Sequence, residues 1–399
     1  MSIKRLLKTK RCQRFLLYLK EITDSRQKWK IKHEQYSLLF IIILAMMAGC
    51  NKFKEFYAFG CKYKNKLSKI IDLRNGIPSH DTMERAMHRI DTREFNGLVY
   101  KFVNEYIPNQ YIHVCIDGKF VRSTKEGKEH NDAVDIVSAY IAGIKLSIYS
   151  TQVKTNQQNK NEATAIKQLL QELYTYFKNR HLVITIDAIA ATNPILSTIV
   201  QYNWDYIICI KSRVKEKNWG LYEQIVDEFN AYDSLPYYQT NFNKNGRNEC
   251  RKYSIIHDLS TIDSIKKWNT VKAIGMVESN VTNKKTGLMN CSKRYFLLSR
   301  HFSNQSFATF QRQHWEIESF HYVLDNTFNE DRMRMKKDSS TLNTNLLRKF
   351  VMNIISLHLS NKPYSFITTF RDSCKLLLSS HELLYIILHP LKSPKKSVY

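Results

Sequence analysis

Residues 38–48 are apolar without interruption, and the apolar positions after Gly49-Cys50-Asn51 recur at helical spacing. The pattern over 35–60 predicts a buried helix, a break at those three residues, and then an amphipathic helix. Gly76-Ile77-Pro78-Ser79-His80-Asp81-Thr82 reads as a turn feeding an N-cap, with Ser79 or Asp81 ahead of a helix over 83–90. Asp91 opens another helix, through Phe95 to Tyr106. From Tyr111 the period shortens to β-rich runs, predicting strands at 111–117, 135–141 and 146–153, a helix at 161–177, a strand at 182–187, a helix at 193–203 and a strand at 205–211. That order is an α/β layout with a mixed sheet. Residues 220–300 read as β-rich but less regular, with strands at 251–257, 271–278 and 294–299. The chain then turns helical, most strongly at 307–328 and next at 345–359. This divides it into a helical part (1–108), an α/β part (109–360) with a β-rich insertion at about 215–300, and a basic C-terminal helix and tail (361–399).

Composition narrows the function. The 399 residues include only 11 Gly and 7 Pro, and neither GxGxxG nor GxxxxGK[ST] occurs, which argues against a nucleotide-cradling loop. Lys and Arg total 61 against 36 Asp and Glu, a formal charge of +25. An excess of this size implies a polyanionic partner, nucleic acid before a membrane surface. The surplus is marked at both ends, with 11 basic against 3 acidic residues over 1–35 and 12 against 4 over 331–399. The eight Cys form no CxxC pair, so neither a zinc ribbon nor a disulfide framework is signalled, and they read as reduced thiols of the cytosol. The basic N-terminus has no following signal-peptide core, and the apolar run at 38–48 is too short to span a bilayer.

Two predicted strands end in an acid, Ile116-Asp117-Gly118-Lys119 and Ile184-Thr185-Ile186-Asp187-Ala188. One Asp at a strand end more often caps the next turn. Two on neighbouring strands lie where ligands bind in open α/β sheets and can share a metal, Mg²⁺ being the cation that favours carboxylates while keeping waters for a phosphate. A third acid is expected from Arg312-Gln313-His314-Trp315-Glu316-Ile317-Glu318. Glu316 and Glu318 stand roughly 200° apart around a helix, so only one can face the site, and Arg312 with Glu316 makes a plausible i, i+4 pair. Trp315 suits packing or DNA contact equally. His314 and His321 are too weakly patterned to signal zinc. Arg332, Arg334, Lys336 and Lys337 form a basic run able to clamp a DNA backbone.

Over roughly residues 20–360 the chain resembles bacterial insertion-sequence DDE transposases of the H-repeat-associated type. The likeness is carried by Asp24-Ser25-Arg26, Gly76-Ile77-Pro78-Ser79-His80-Asp81-Thr82, Ile116-Asp117-Gly118-Lys119-Phe120-Val121-Arg122-Ser123, Ile136-Val137-Ser138-Ala139-Tyr140 and Lys160-Asn161-Glu162. It continues through Thr185-Ile186-Asp187-Ala188, the run from Arg312 to Glu318, His321-Tyr322-Val323-Leu324-Asp325, Glu330-Asp331 and Leu347-Arg348. The resemblance implies an RNase H-like mixed sheet with flanking helices, an all-helical transposase-associated domain at the N-terminus, and a β-rich insertion before the last catalytic helix. It places the catalytic, metal-holding acids at Asp117, Asp187 and Glu318, with two Mg²⁺ ions for which Mn²⁺ can substitute. It further implies cleavage at insertion-sequence ends and strand transfer into target DNA, with an RNase H-like nuclease or an inactive DNA-binding remnant as alternatives. Lys119, Arg122, Lys211, Arg312, His314, Trp315, Arg332 and Arg334 are the candidate DNA contacts. The expected partners are double-stranded DNA, as terminal repeats and target, and a second copy in the synaptic complex. A cytoplasmic, nucleoid-associated bacterial protein is expected. Two departures stand out, Ile210-Lys211-Ser212-Arg213-Val214 in place of a Leu-Lys-Gly-Asn-Gln-like run, and Thr192 where relatives carry Gln.

Overall fold

The computed structural model describes residues 10–108, 111–124, 133–153, 155–156, 159–160, 162–188, 191–211, 219–244, 246–333 and 338–360. In chain order the main elements are α1 (Lys10–Lys20), α2 (Gln35–Met47), α3 (Phe53–Leu67), α4 (His80–Arg89), α5 (Thr92–Asn104), β1 (Ile112–Val121), β2 (Val134–Ile141) and β3 (Leu146–Gln152). There follow α6 (Glu162–Phe177), β4 (Leu182–Ile186), α7 (Asn193–Gln201), β5 (Asp205–Ile210), α8 (Trp219–Asn230), β6 (Tyr237–Lys244), β7 (Arg247–Ile256), β8 (Ala273–Asn283), β9 (Met289–Leu298), α9 (Asn304–Asn326) and α10 (Ser339–Ser360). The chain forms two compact units, one of residues 1–107, 118–154 and 319–399, the other of 108–117 and 155–318.

In the first unit α2 is buried on every face, as a helix without a polar stripe must be. Tertiary burial overrides the weak helix propensity of its three consecutive isoleucines. Ser79 caps α4 by accepting from the Thr82 N–H at 3.3 Å, which decides between the two expected caps. Asp91 caps α5 by accepting from the N–H groups of Arg93 and Glu94 at 2.8 and 3.1 Å. Helix α10 buries polar side chains among its apolar ones, and two asparagines among them tie it to its neighbours. Asn343 donates to the carbonyls of Met87 and Ile90 at the end of α4, and Asn353 bridges the backbone of Ser147 on β3. Phe350, from the same helix, packs against Phe15, Phe95 and Phe102.

In the second unit β1, β4 and β5 pair in parallel, and β9, β8, β7 and β6 extend the same sheet antiparallel from β5. The stretch expected as a β-rich insertion is therefore joined edge to edge to the parallel strands. One apolar core spans both, from Val183, Ile207 and Cys209 through Tyr253, Val277 and Phe296 to Phe307 of α9. Gly275 makes room for that packing, since a Cβ there would lie 2.7 Å from the Phe307 ring.

Three local expectations change. β1 continues four residues past Asp117 to Val121, because Lys119 and Val121 are buried anchors beyond it. Helix α8 was readable from Leu221, Ile225 and Phe229 at i, i+4 and i+8, all buried, within a stretch expected to be β-rich. β6 gave no sign, because its side chains are mostly exposed and polar and it exists through backbone pairing to β7. Arg334, the Ser212-Arg213-Val214 departure and the expected C-terminal helix and tail lie outside the described residues.

Candidate active site

The register of β1 against β4 runs from Ile112 opposite Leu182 to Ile116 opposite Ile186. Asp117 and Asp187 are the next positions on each chain, so the two acids emerge side by side from a sheet whose neighbouring strands lie about 4.8 Å apart. The two-residue period also places His113 and Cys115 in line with Asp117, and Thr185 in line with Asp187. These residues form the layer that α9 covers. His314 Nδ1 lies 2.8 Å from the Thr185 hydroxyl, that hydroxyl is 2.9 Å from His113 Nε2, and His113 Nδ1 is 2.9 Å from Gln313 Oε1.

This chain of hydrogen bonds fixes proton positions. Burial pulls the His113 pKa down to about 3, with the Gln313 bond opposing, so its ring is neutral at ordinary pH. With Gln313 Oε1 accepting from Nδ1–H, His113 Nε2 accepts the Thr185 proton, and His314 Nδ1–H must then donate to Thr185. The first turns of the Arg312–Glu318 segment are thereby pinned to β1 and β4.

Glu318 follows His314 by four residues and shares its face of α9. Its carboxyl is raised above the ordinary range, first by burial and then by the charges of Asp117 and Asp187, with Arg294 and Lys211 opposing. Glu316 is instead felt by the buried Cys115 thiol, which burial pushes up. Of the two acids that helical spacing left open, Glu318 is the one whose carboxyl is raised by both Asp117 and Asp187. For Asp187 burial works against the charge, but the Lys211 ammonium at 2.6 Å and the Ala188 N–H outweigh it and hold the carboxyl low. Among the described residues no group of three His, Cys, Asp or Glu is already disposed to hold a metal ion, and Asp187 is engaged by Lys211.

Beside the acids, Trp315 is bracketed by guanidinium groups, Arg251 at 4.9 Å and Arg294 at 5.4 Å from the ring centroid. Arg312, expected opposite Glu316, reaches Glu249 at 2.8 Å and lies 4.2 Å over the Phe242 ring. Glu249 also pairs with Arg251 at 2.6 Å. Arg251 and Arg294 were missed from the sequence, since each sits in a strand of ordinary alternating pattern and only the sheet register brings them to one face. The Thr185 relay was missed for the same reason.

The remaining expected contacts belong to the first unit. Lys119 is buried and tied to Asp325 at 2.6 Å, Glu330 at 2.8 Å and Asp331 at 3.7 Å, so it is a structural cation there and could meet a phosphate only by leaving three acids. Arg122 and Arg332 are exposed, and the Arg122 backbone N–H donates to Asp331 at 3.0 Å.

The Transposase DDE domain model matches residues 108–354, and the DDE_Tnp_1-associated model matches residues 16–103. The chain belongs to the DDE transposase family. As a DDE transposase it is similar to "Putative transposase YncI" of Escherichia coli O157:H7, 30% identical over 353 residues that cover 86% of this chain and 87% of that protein. It is also similar to "H repeat-associated putative transposase YhhI" of E. coli strain K12, 26% identical over 86% of this chain and 90% of the other. The expected H-repeat-associated type is thus met, and the transposase fold carries the expected mixed sheet with its helical N-terminal region. No helix among the described residues is long and apolar enough to cross a membrane.

Proposed function

We propose that this transposase cuts DNA at the ends of its insertion element and joins the freed 3′-OH to target DNA, using Asp117, Asp187 and Glu318. The observation that carries the reading is the register of β1 against β4, which brings Asp117 and Asp187 out side by side, with His314 pinned to Thr185 one helical turn before Glu318, whose carboxyl those two acids help to raise. Three carboxylates directed to one sheet edge would each gain from a cation held between them. The donor set is all oxygen and suits Mg²⁺ or Mn²⁺, with two ions as the family resemblance implies. When bound, such ions would supply an activated oxygen nucleophile and stabilise the departing oxygen.

The chain's own side chains prepare this site. Thr185 and His113 fix the His314 ring and with it the helical turn that leads to Glu318. Lys211 and Arg294 bring positive charge to the acids, as required where a polyanionic backbone must approach them. In the first reaction water would attack the phosphorus and the 3′-oxygen would leave, giving a 3′-OH and a 5′-phosphate. In the second that 3′-OH would attack a target phosphodiester in line, and no covalent protein intermediate is needed. Arg312, Trp315, Arg122, Arg332 and Arg334 remain candidate backbone contacts, and the N-terminal helices the candidate readers of the terminal repeats. A homodimer would synapse two element ends, in the bacterial cytoplasm at the nucleoid.

The test is cleavage of end-labelled duplex carrying the element's own termini in Mg²⁺ or Mn²⁺. Wild type and Glu316→Gln should both cut to leave 3′-OH ends, and Asp117→Asn, Asp187→Asn and Glu318→Gln should not. Cutting by the Glu318→Gln variant at the wild-type rate would sink the assignment. Cleavage without any joined product would favour a nuclease over a transposase.

A further inference from the structure

We propose that Lys211 keeps Asp187 occupied until DNA arrives, its ammonium competing with a divalent cation for that carboxylate and moving to a DNA phosphate when the cation enters. The inference rests on the three-acid reading above and adds a coupling between cation loading and DNA loading.

Three observations carry it. Lys211 Nζ lies 2.6 Å from Asp187 Oδ2, on one of the acids that would hold the cation. The pair is accessible, with 46% of the Lys211 side chain and 49% of the Asp187 side chain exposed. Finally, Lys211 leaves the sheet immediately after β5 ends at Ile210, while β5 is fixed beside β4 by the register Ile186 to Ile208. The ammonium is thus on a flexible four-carbon stem anchored to a rigid strand next to the acids.

A half-exposed ion pair is weak, because water screens it and two side chains lose freedom to form it. A divalent cation shared with Asp117 and Glu318 gains from three carboxylates where the ammonium reaches one. Once displaced, Lys211 is a cation within reach of the same edge, and a phosphate brought there takes it up. Binding linkage then runs both ways: DNA that holds Lys211 removes the competitor for Asp187, and the cation that frees Lys211 strengthens DNA binding by the same factor. A second cation near the acids among the described residues, Arg294, lies over the Trp315 ring and can assist a phosphate without blocking Asp187.

The measurement is Mn²⁺ affinity of the full chain by electron paramagnetic resonance, with and without a product duplex that ends at the element's terminal nucleotide and so offers nothing to cut. Wild type, Lys211→Met, Lys211→Arg and Asp187→Asn are compared. Without DNA, Lys211→Met should bind Mn²⁺ roughly two- to fivefold tighter than wild type, the range an exposed pair allows. Lys211→Arg should stay near wild type, and DNA should tighten Mn²⁺ binding more in wild type than in Lys211→Met. Equal or weaker Mn²⁺ binding by Lys211→Met, or an equal DNA effect in both, overturns the proposal. If Asp187→Asn loses Mn²⁺ while Lys211→Met is unchanged, the three-acid reading stands and only the competition fails. If wild type binds no Mn²⁺ with or without DNA, both fail.

Discussion

Glu330 shows how one side chain can hold a region together. It is fully buried, accepts from Lys119 at 2.8 Å and from Asn345 at 2.8 Å, and faces Arg348 at 3.3 Å. Burial alone would raise its carboxyl, but Lys119 and Arg348 outweigh that and hold it down at about 2. Removing one partner would leave a buried uncompensated charge, so Lys119→Ala or Glu330→Ala should cost about 3–5 kcal/mol in urea unfolding. The pH sign follows from a depressed carboxylate. Its contribution is full above its ordinary value of 4.5 and is lost as pH falls through about 2. Unfolding followed from pH 6 to pH 2 should therefore lose stability in wild type, and the Glu330→Gln variant should lack that part of the slope. Lys119 was legible in the sequence as a cation two residues beyond Asp117, which suggested DNA. Its actual partners lie 206 to 212 positions away in the chain, and spacing cannot reveal such contacts.

Helix ends were easier to read than sheet registers. The caps at Ser79 and Asp91 follow from chemistry within three residues, and replacing either with Ala should cost about 1 kcal/mol, measurable by thermal or urea unfolding. The face of α9 that meets the sheet depends on matching it to β1, β4 and the extended strands. Phe307 sits fully buried where that match is made, touching the Tyr253 and Phe296 rings. Phe307→Ala should cost about 3–5 kcal/mol. Gly275→Ala should cost about 1–3 kcal/mol by overpacking against the same ring, unless Phe307 is shortened with it. The double variant Gly275→Ala, Phe307→Leu should therefore recover part of the loss of Gly275→Ala. The strand β6 stayed invisible because an exposed polar strand leaves no hydrophobic period, whereas α8 left its period in plain view within a region read for strands.

For the molecule as a whole, the formal charge of +25 makes an electrostatic prediction independent of any single contact. A protein with roughly six to ten phosphate contacts loses about 10³–10⁵ in DNA affinity between 50 and 200 mM salt. A loss of this order should appear in fluorescence anisotropy, and a change of less than about tenfold would count against DNA as the partner. Legible along the chain alone were the alternation of helical and β-rich segments, the helix starts, the basic surplus and the two acids that follow Ile116 and Ile186. All of these depend on neighbours in the chain, through the two-residue and 3.6-residue periods, capping chemistry and simple charge. Motif resemblance pointed to Glu318 as the candidate third acid. Packing is what brings Lys211 to Asp187, Thr185 between His113 and His314, Arg251 and Arg294 to Trp315, and Lys119 to Asp325 and Glu330. Each of these joins residues far apart in sequence, and what selects it is strand register and burial, which exist only once the chain has packed.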